Sequence, residues 1–260
     1  MHARWRSSPA NRRALTGRHR CYDPPVTVAA LILCATTESA IADTDGRAAV
    51  RRMVESAWAG GAVPIVVVAP EQDGVVAAAL TGSPAVLAEP APAEGGPVAQ
   101  IRRAFAVARE RVTDTEAGLV WPGAMVWVDP ETVTSLIEAY GVRAGTILRP
   151  QFGDRSGWPV LLPIESDATL AASTPDRMPD DLIADLVAKG ATVEELPLGD
   201  PGTTHSRATR SDDLPPYEGP AVPAGGPPPE WGAPVGERPE DVALEGPSLA
   251  PYAQAEAETE

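Results

Sequence analysis

The side chains able to do chemistry are few and unevenly spread. Three arginines, Arg47, Arg51 and Arg52, lie shortly after an apolar run that ends at Cys34, and the only lysine is Lys189. Asp129 precedes Pro130 at the start of a helical segment, so it is a natural helix cap and also a possible oxygen ligand for a hard cation. His205 stands alone in a loop, where a histidine is ordinarily a polar surface group, with a functional role as the alternative. Trp158, between Gly157 and Pro159, has a face that could stack on a ring and the bulk to serve as a core or lid anchor. Gly95-Gly96-Pro97 either lets the backbone approach a planar ligand closely or simply opens a helix. The two cysteines, Cys21 and Cys34, form no CxxC pair and no Cys/His cluster, which argues against a structural zinc site. So few thiols suit a reducing cytosol.

The elements that must position these groups alternate. Val26 to Cys34 is a short, β-branched apolar run, which suits a strand covered on both faces. Ala49, Val50, Met53, Val54, Ala57 and Trp58 then recur at helical spacing, and Gly60-Gly61 stops the helix. AVPIVVVAP and PAVLAE read as strands around a short helix in EQDGVVAAAL. A longer helix follows, with Val98, Ile101, Phe105 and Ala108 on one face. The strand in AGLVWPGAMVWVD breaks at Pro122, and the next helix runs from Pro130 to Gly141. Further strands are expected in GTILRP, WPVLLP and ATVEELPLG. They flank a helix with Asp180 and Asp181 in its first turn and Lys189 near its last. Alternating strands and helices predict one three-layer α/β/α domain with a mostly parallel, Rossmann-like sheet over residues 26–215. Ligands of such sheets bind beyond the carboxyl ends of the strands, which directs attention to the loops after Cys34, Ala69 and Trp121. Residues 1–25 read as a disordered basic leader, and residues 216–260 as a disordered Pro/Gly-rich acidic tail.

Four segments, in order, resemble the MobA-like NTP transferases, which include the molybdenum-cofactor guanylyl- and cytidylyltransferases and related sugar-1-phosphate nucleotidyltransferases. LILCA, the helix GRAAVRRMVESAWAGG and PIVVV resemble the family's opening. EGGPVAQIRRAF resembles the segment that approaches the nucleobase. LVWPGAMVWVDPETVTSLIEAY resembles the strand–loop–helix that carries a metal-binding Asp. RPQFGDRSGWPVLLP and LGDPGTTHSRATRSDDL resemble the acceptor-side loop and the closing turn. The resemblance implies a nucleotide site at Ala35, Thr36, Arg47, Arg51, Gly95, Gly96 and Pro97. It implies an acceptor side at Gly157, Trp158 and His205, and metal ligands at Asp129 and Asp200.

The departures bear on catalysis. The family's first loop has the form LAAGxSxRMGxxK; its backbone N–H groups cradle a triphosphate and its cations neutralise it. Here the loop is CATTESAIADTDGR, without glycine before Gly46, and Glu38, Asp43 and Asp45 bring negative charge to it. The phosphate lysine is absent, leaving Arg47, Arg51 or Arg52 as substitutes of different geometry. Ala124 stands where the metal-binding Asp is expected, Val126 where a proline is expected, and Ser206 where an Asp often completes the metal site. Trp158 stands where relatives often have His.

The expected protein is therefore a catalytically impaired relative that keeps a nucleotide- or sugar-phosphate-type pocket and dimerises through its apolar helix faces. The alternative is an active enzyme in which Mg²⁺ and cation clamps support attack on an NTP α-phosphate, with release of pyrophosphate. A Rossmann dinucleotide binder lacks its GxGxxG loop here. The formal charge of −15 argues against nucleic acid and anionic lipid as partners, and no run is long enough to cross a membrane as a helix.

Overall fold

The computed structural model describes residues 26–220. The leader expected over 1–25, Cys21 and the tail beyond residue 220 lie outside the described residues. Eight strands, β1 (Thr27–Leu33), β2 (Ile65–Val68), β3 (Val86–Ala88), β4 (Thr115–Pro122), β5 (Ile147–Phe152), β6 (Arg155–Ser156), β7 (Val160–Pro163) and β8 (Val193–Pro197), form one sheet. Its order is β3-β2-β1-β4-β7-β5-β6, with β8 added on β5. The pairs β1–β2, β1–β4, β2–β3 and β5–β8 are parallel, while β7 runs antiparallel to β4 and β5. The mostly parallel α/β sheet is the expected one.

Seven helices cover it: α1 (Thr37–Ile41), α2 (Ala49–Ala59), α3 (Val75–Ala79), α4 (Gly96–Arg111), α5 (Pro130–Val142), α6 (Ser166–Ala171) and α7 (Pro179–Ala188). The two-residue period of a strand sorts the core into two layers. Val28, Ala30 and Ile32 of β1 face α2 and α5, where Val50, Met53, Val54, Val133 and Leu136 are buried. Ala29 and Leu31 face the other way, against Val98, Ile101 and Phe105 of α4 and Leu182 and Leu186 of α7. Gly118 is small because Leu31 and Phe105 fill its place: an added Cβ would sit 2.5 Å from Leu31 Cδ1 and 2.7 Å from Phe105 Cε1.

One expectation changes. Trp58 does not join the buried face of α2 and is 56% exposed. At about 100° per residue it falls roughly 40° beyond Val54, past the edge of the stripe facing the sheet. α5 ends one residue beyond Gly141, as expected to within a residue, and the left-handed glycine that follows it is Gly145, at φ +82°. The buried faces of α2, α4, α5 and α7 pack on the sheet. Beyond residue 215, Tyr217 donates to Glu131 Oε2 at 2.9 Å, and Glu218 N–H donates to Gly199 O at 3.1 Å. Among the described residues no helix is long and apolar enough to cross a membrane.

Candidate functional site

At the carboxyl ends of the central strands lies a cleft of about 450 Å³. Its floor is Leu33, Cys34 and Ala35 after β1, Val68 and Pro70 at β2, and Val120 and Pro122 of β4. One wall is Pro90, Ala91 and Ala93 with Pro97 and Gln100 of α4; Met178 and Pro179 of α7 form another. None of these side chains carries a charge. The Gln100 amide is engaged with the backbone of Ala91, accepting from its N–H and donating to its O, both at 2.9 Å.

The loop after β1 is closed by its own side chains. Thr36 caps α1: its hydroxyl accepts from Ser39 N–H at 3.1 Å, and Ser39 Oγ accepts from Thr36 N–H at 3.2 Å. Thr37 Oγ1 donates to Pro70 O at 2.8 Å and fastens α1 to the loop after β2. Glu38 is in the first turn, and its own backbone N–H and the Thr36 hydroxyl hold its carboxyl below the usual range. Ala35 lines the cleft, whereas Thr36 serves the helix.

Arg47 and Arg51 do not line the cleft. Both bind Glu55, at 2.5 and 2.8 Å, and Arg51 also donates to Thr81 O. Arg52 donates to Thr44 O and lies over the Trp127 ring, 4.9 Å from its centroid. Helical spacing makes Glu55 the i,i+4 partner of Arg51, and Arg47, just before α2, reaches the same carboxylate from eight residues away.

Of the glycine pair, Gly96 has a physical requirement unrelated to a ligand. Its φ is +57°, and an added Cβ would sit 1.9 Å from Pro175 O. Pro97, at the start of α4, lines the cleft.

Asp129 and Asp200 are brought together as a structural joint. Asp129 caps α5, accepting from Glu131 N–H at 2.8 Å. Asp200 is 2% exposed and accepts from Asp129 N–H (2.9 Å), Thr132 Oγ1 (2.7 Å) and Gly202 N–H (2.7 Å). Burial nonetheless pushes its carboxyl above the usual range, against those three donors. A divalent cation needs several oxygen ligands with free lone pairs. Here the Asp200 oxygens are committed, Ala124 offers none, and among the described residues no three His, Cys, Asp or Glu side chains converge. The residues do not fit a metal at this place.

The closing turn after β8 braces the site from behind. Trp158 N–H donates to Thr203 O at 2.8 Å, and a Cβ on Gly157 would meet Thr203 Cβ at 2.6 Å. Trp158 packs on both core layers beneath the Arg149 guanidinium, which lies 5.6 Å from its ring centroid. It lines a small void with Val120 and Pro179, residues that also line the cleft, so it forms part of the partition behind it. His205 is turned inward, its Nδ1 2.7 Å from Pro201 O and its ring edge-on to Phe152. Arg207 follows, its N–H donating to Ala124 O at 2.7 Å. Arg207, and the walls from Pro90–Ala93 and Met178–Pro179, escape a reading by motif, because they come from loops without a repeating pattern.

The fold has close company. Similar structures include Rv0371c from Mycobacterium tuberculosis in complex with manganese (21% identity, covering 66% of this chain and 89% of that one, TM-score 0.52). Others are a cytidylyltransferase from Leptospira borgpetersenii (11%, 69% and 79%, 0.54) and 2-C-methyl-D-erythritol 4-phosphate cytidylyltransferase from Thermus thermophilus (17%, 74% and 96%, 0.51). At these identities the likeness establishes the fold. No curated protein sequence matches the chain. The MobA-like NTP transferase domain matches residues 37–190, more than half of the sequence, and the chain belongs to that family.

Proposed function

We propose that this protein binds a nucleotide or sugar-phosphate in the cleft beyond β1 and β4, in the cytoplasm, and has lost the nucleotidyl-transfer chemistry of its family. The observation that carries this is the lining: the cleft is roomy enough for a small molecule, yet none of its side chains carries a charge. Transfer from a triphosphate needs cations on the phosphates and at the departing pyrophosphate. The cations nearest in sequence are held by Glu55 and Thr44 instead. The carboxylates that remain are helix caps and backbone acceptors.

The test has two arms. Thermal shift with GTP, CTP, GDP, CDP and UDP-sugars, in Mg²⁺ and in EDTA, reads binding. Pyrophosphate release with each NTP and a panel of phosphorylated acceptors reads turnover. Binding without pyrophosphate release is expected. Sustained Mg²⁺-dependent release would establish an active transferase and overturn the reading.

A further inference from the structure

We propose that Arg207 is the phosphate anchor of the cleft, and that it selects a nucleoside mono- or diphosphate held without metal rather than an NTP–metal complex. This deepens the function proposed above and rests on it.

The placement comes from three backbone contacts. Gly123 N–H donates to Leu33 O at 2.7 Å, drawing the loop after β4 against the end of β1. Gly123 lies so close that an added Cβ would meet Cys34 Sγ at 2.7 Å. Ala124, the next residue, accepts from Arg207 N–H at 2.7 Å. Arg207 is thereby tied to the loop after β4, two residues beyond Pro122; Pro122 and Cys34 both line the cleft. Its charge is felt there: it favours the Cys34 thiolate, although burial dominates that thiol.

Arg207 is exposed, and among the described residues its side chain has no ion pair or hydrogen bond. Arg47, Arg51, Arg52 and Arg149 are each committed to a carboxylate or a carbonyl. A guanidinium can take two phosphate oxygens at once through its planar fork. One such group suits one or two phosphates. A triphosphate carries more negative charge than one guanidinium offsets; the only lysine, Lys189, lines a different hollow, and no fitting metal site among the described residues takes up the rest.

The test is calorimetric titration of GMP, CMP, UMP, GDP, CDP, UDP and the corresponding triphosphates and nucleosides, in EDTA and in Mg²⁺. Wild type, Arg207→Ala, Arg207→Lys and Arg47→Ala are compared, with circular dichroism confirming that each is folded. The expected result is metal-independent binding of at least one mono- or diphosphate, weakened about tenfold or more in Arg207→Ala, as for loss of a charge-assisted bond. Arg207→Lys should recover part of it, Arg47→Ala should match wild type, and nucleoside binding should be the same in all. Wild-type affinity in Arg207→Ala, or binding that requires Mg²⁺, overturns this inference while leaving the nucleotide cleft standing. Absence of any nucleotide binding to wild type removes both.

Discussion

Asp200 offers the sharpest test of what the carboxylates of this domain are for. In Asp200→Ala, the N–H groups of Asp129 and Gly202 and the hydroxyl of Thr132 lose their acceptor in a buried joint. The hydroxyl can turn to another carbonyl, but the two N–H groups cannot. At about 1–3 kcal/mol for each stranded buried donor, the loss is roughly 2–6 kcal/mol. Relief from burying a charge offsets part of it, because burial raises the Asp200 pKa. A net loss of about 3 kcal/mol lowers Tm by roughly 6–12 °C in a domain of this size. Thermal unfolding followed by circular dichroism in EDTA measures it. The pH dependence has a definite sign. A carboxyl whose folded pKa is raised contributes stability that is complete at acid pH, below its unfolded pKa, and is lost as pH rises through the folded value. The gap between wild type and Asp200→Ala should therefore narrow from acid toward neutral pH. A variant within ~1 °C of wild type in EDTA, losing only an increment that Mg²⁺ confers on wild type, would show a metal ligand and refute the structural assignment.

Other outcomes follow from the same contacts. Arg47→Ala and Arg51→Ala break exposed pairs with Glu55, so each should cost less than ~1 kcal/mol in urea unfolding. Each should also leave nucleotide affinity unchanged; a large loss of affinity in either would restore Arg47 or Arg51 as the phosphate cation. Cys34 has its thiol pushed up to about 12 by burial, with Arg207 pulling the other way. In a Cys21→Ser background, iodoacetamide at pH 8 should label unfolded protein far faster than native, and equal rates would contradict the burial. Because the folded pKa exceeds the ordinary 9.0, the neutral thiol's contribution is complete below pH 9 and fades toward pH 12. Urea midpoints should accordingly fall more steeply over that window in wild type than in Cys34→Ala. Gly96→Ala places a Cβ on Pro175 O at a positive φ, and should destabilise by about 2 kcal/mol or displace the segment before α7. Unaltered stability, with only ligand affinity lost, would mean that Gly96 serves the ligand instead.

Periodicity carried the layers. A β-branched apolar run without alternation requires cover on both faces, and the spacing of Val98, Ile101 and Phe105 allows only one helix face inward. The mostly parallel sheet, its longer strands and helices and the family resemblance were therefore legible, whereas the short α1, β6 and α6 were not. The missing glycines of the first loop, the single lysine and Ala124 were legible too, as substitutions within a pattern. Trp58 was misread because a wheel shows neighbours on the helix but not where the sheet beneath it ends.

What the chain by itself determined is thus local: which segments pair or coil, and where the residue types depart from the family pattern. Only the tertiary structure decided the partners. Glu55 captures two arginines and Thr44 a third, Asp200 spends its oxygens on two backbone N–H groups and the Thr132 hydroxyl, and Arg207 is tied through its N–H to the loop after β4. The physical reason is range. Propensity acts over a few residues along the chain, whereas a charge or a hydrogen bond is settled by whatever lies within a few ångströms in space, and those neighbours come from loops far apart in sequence.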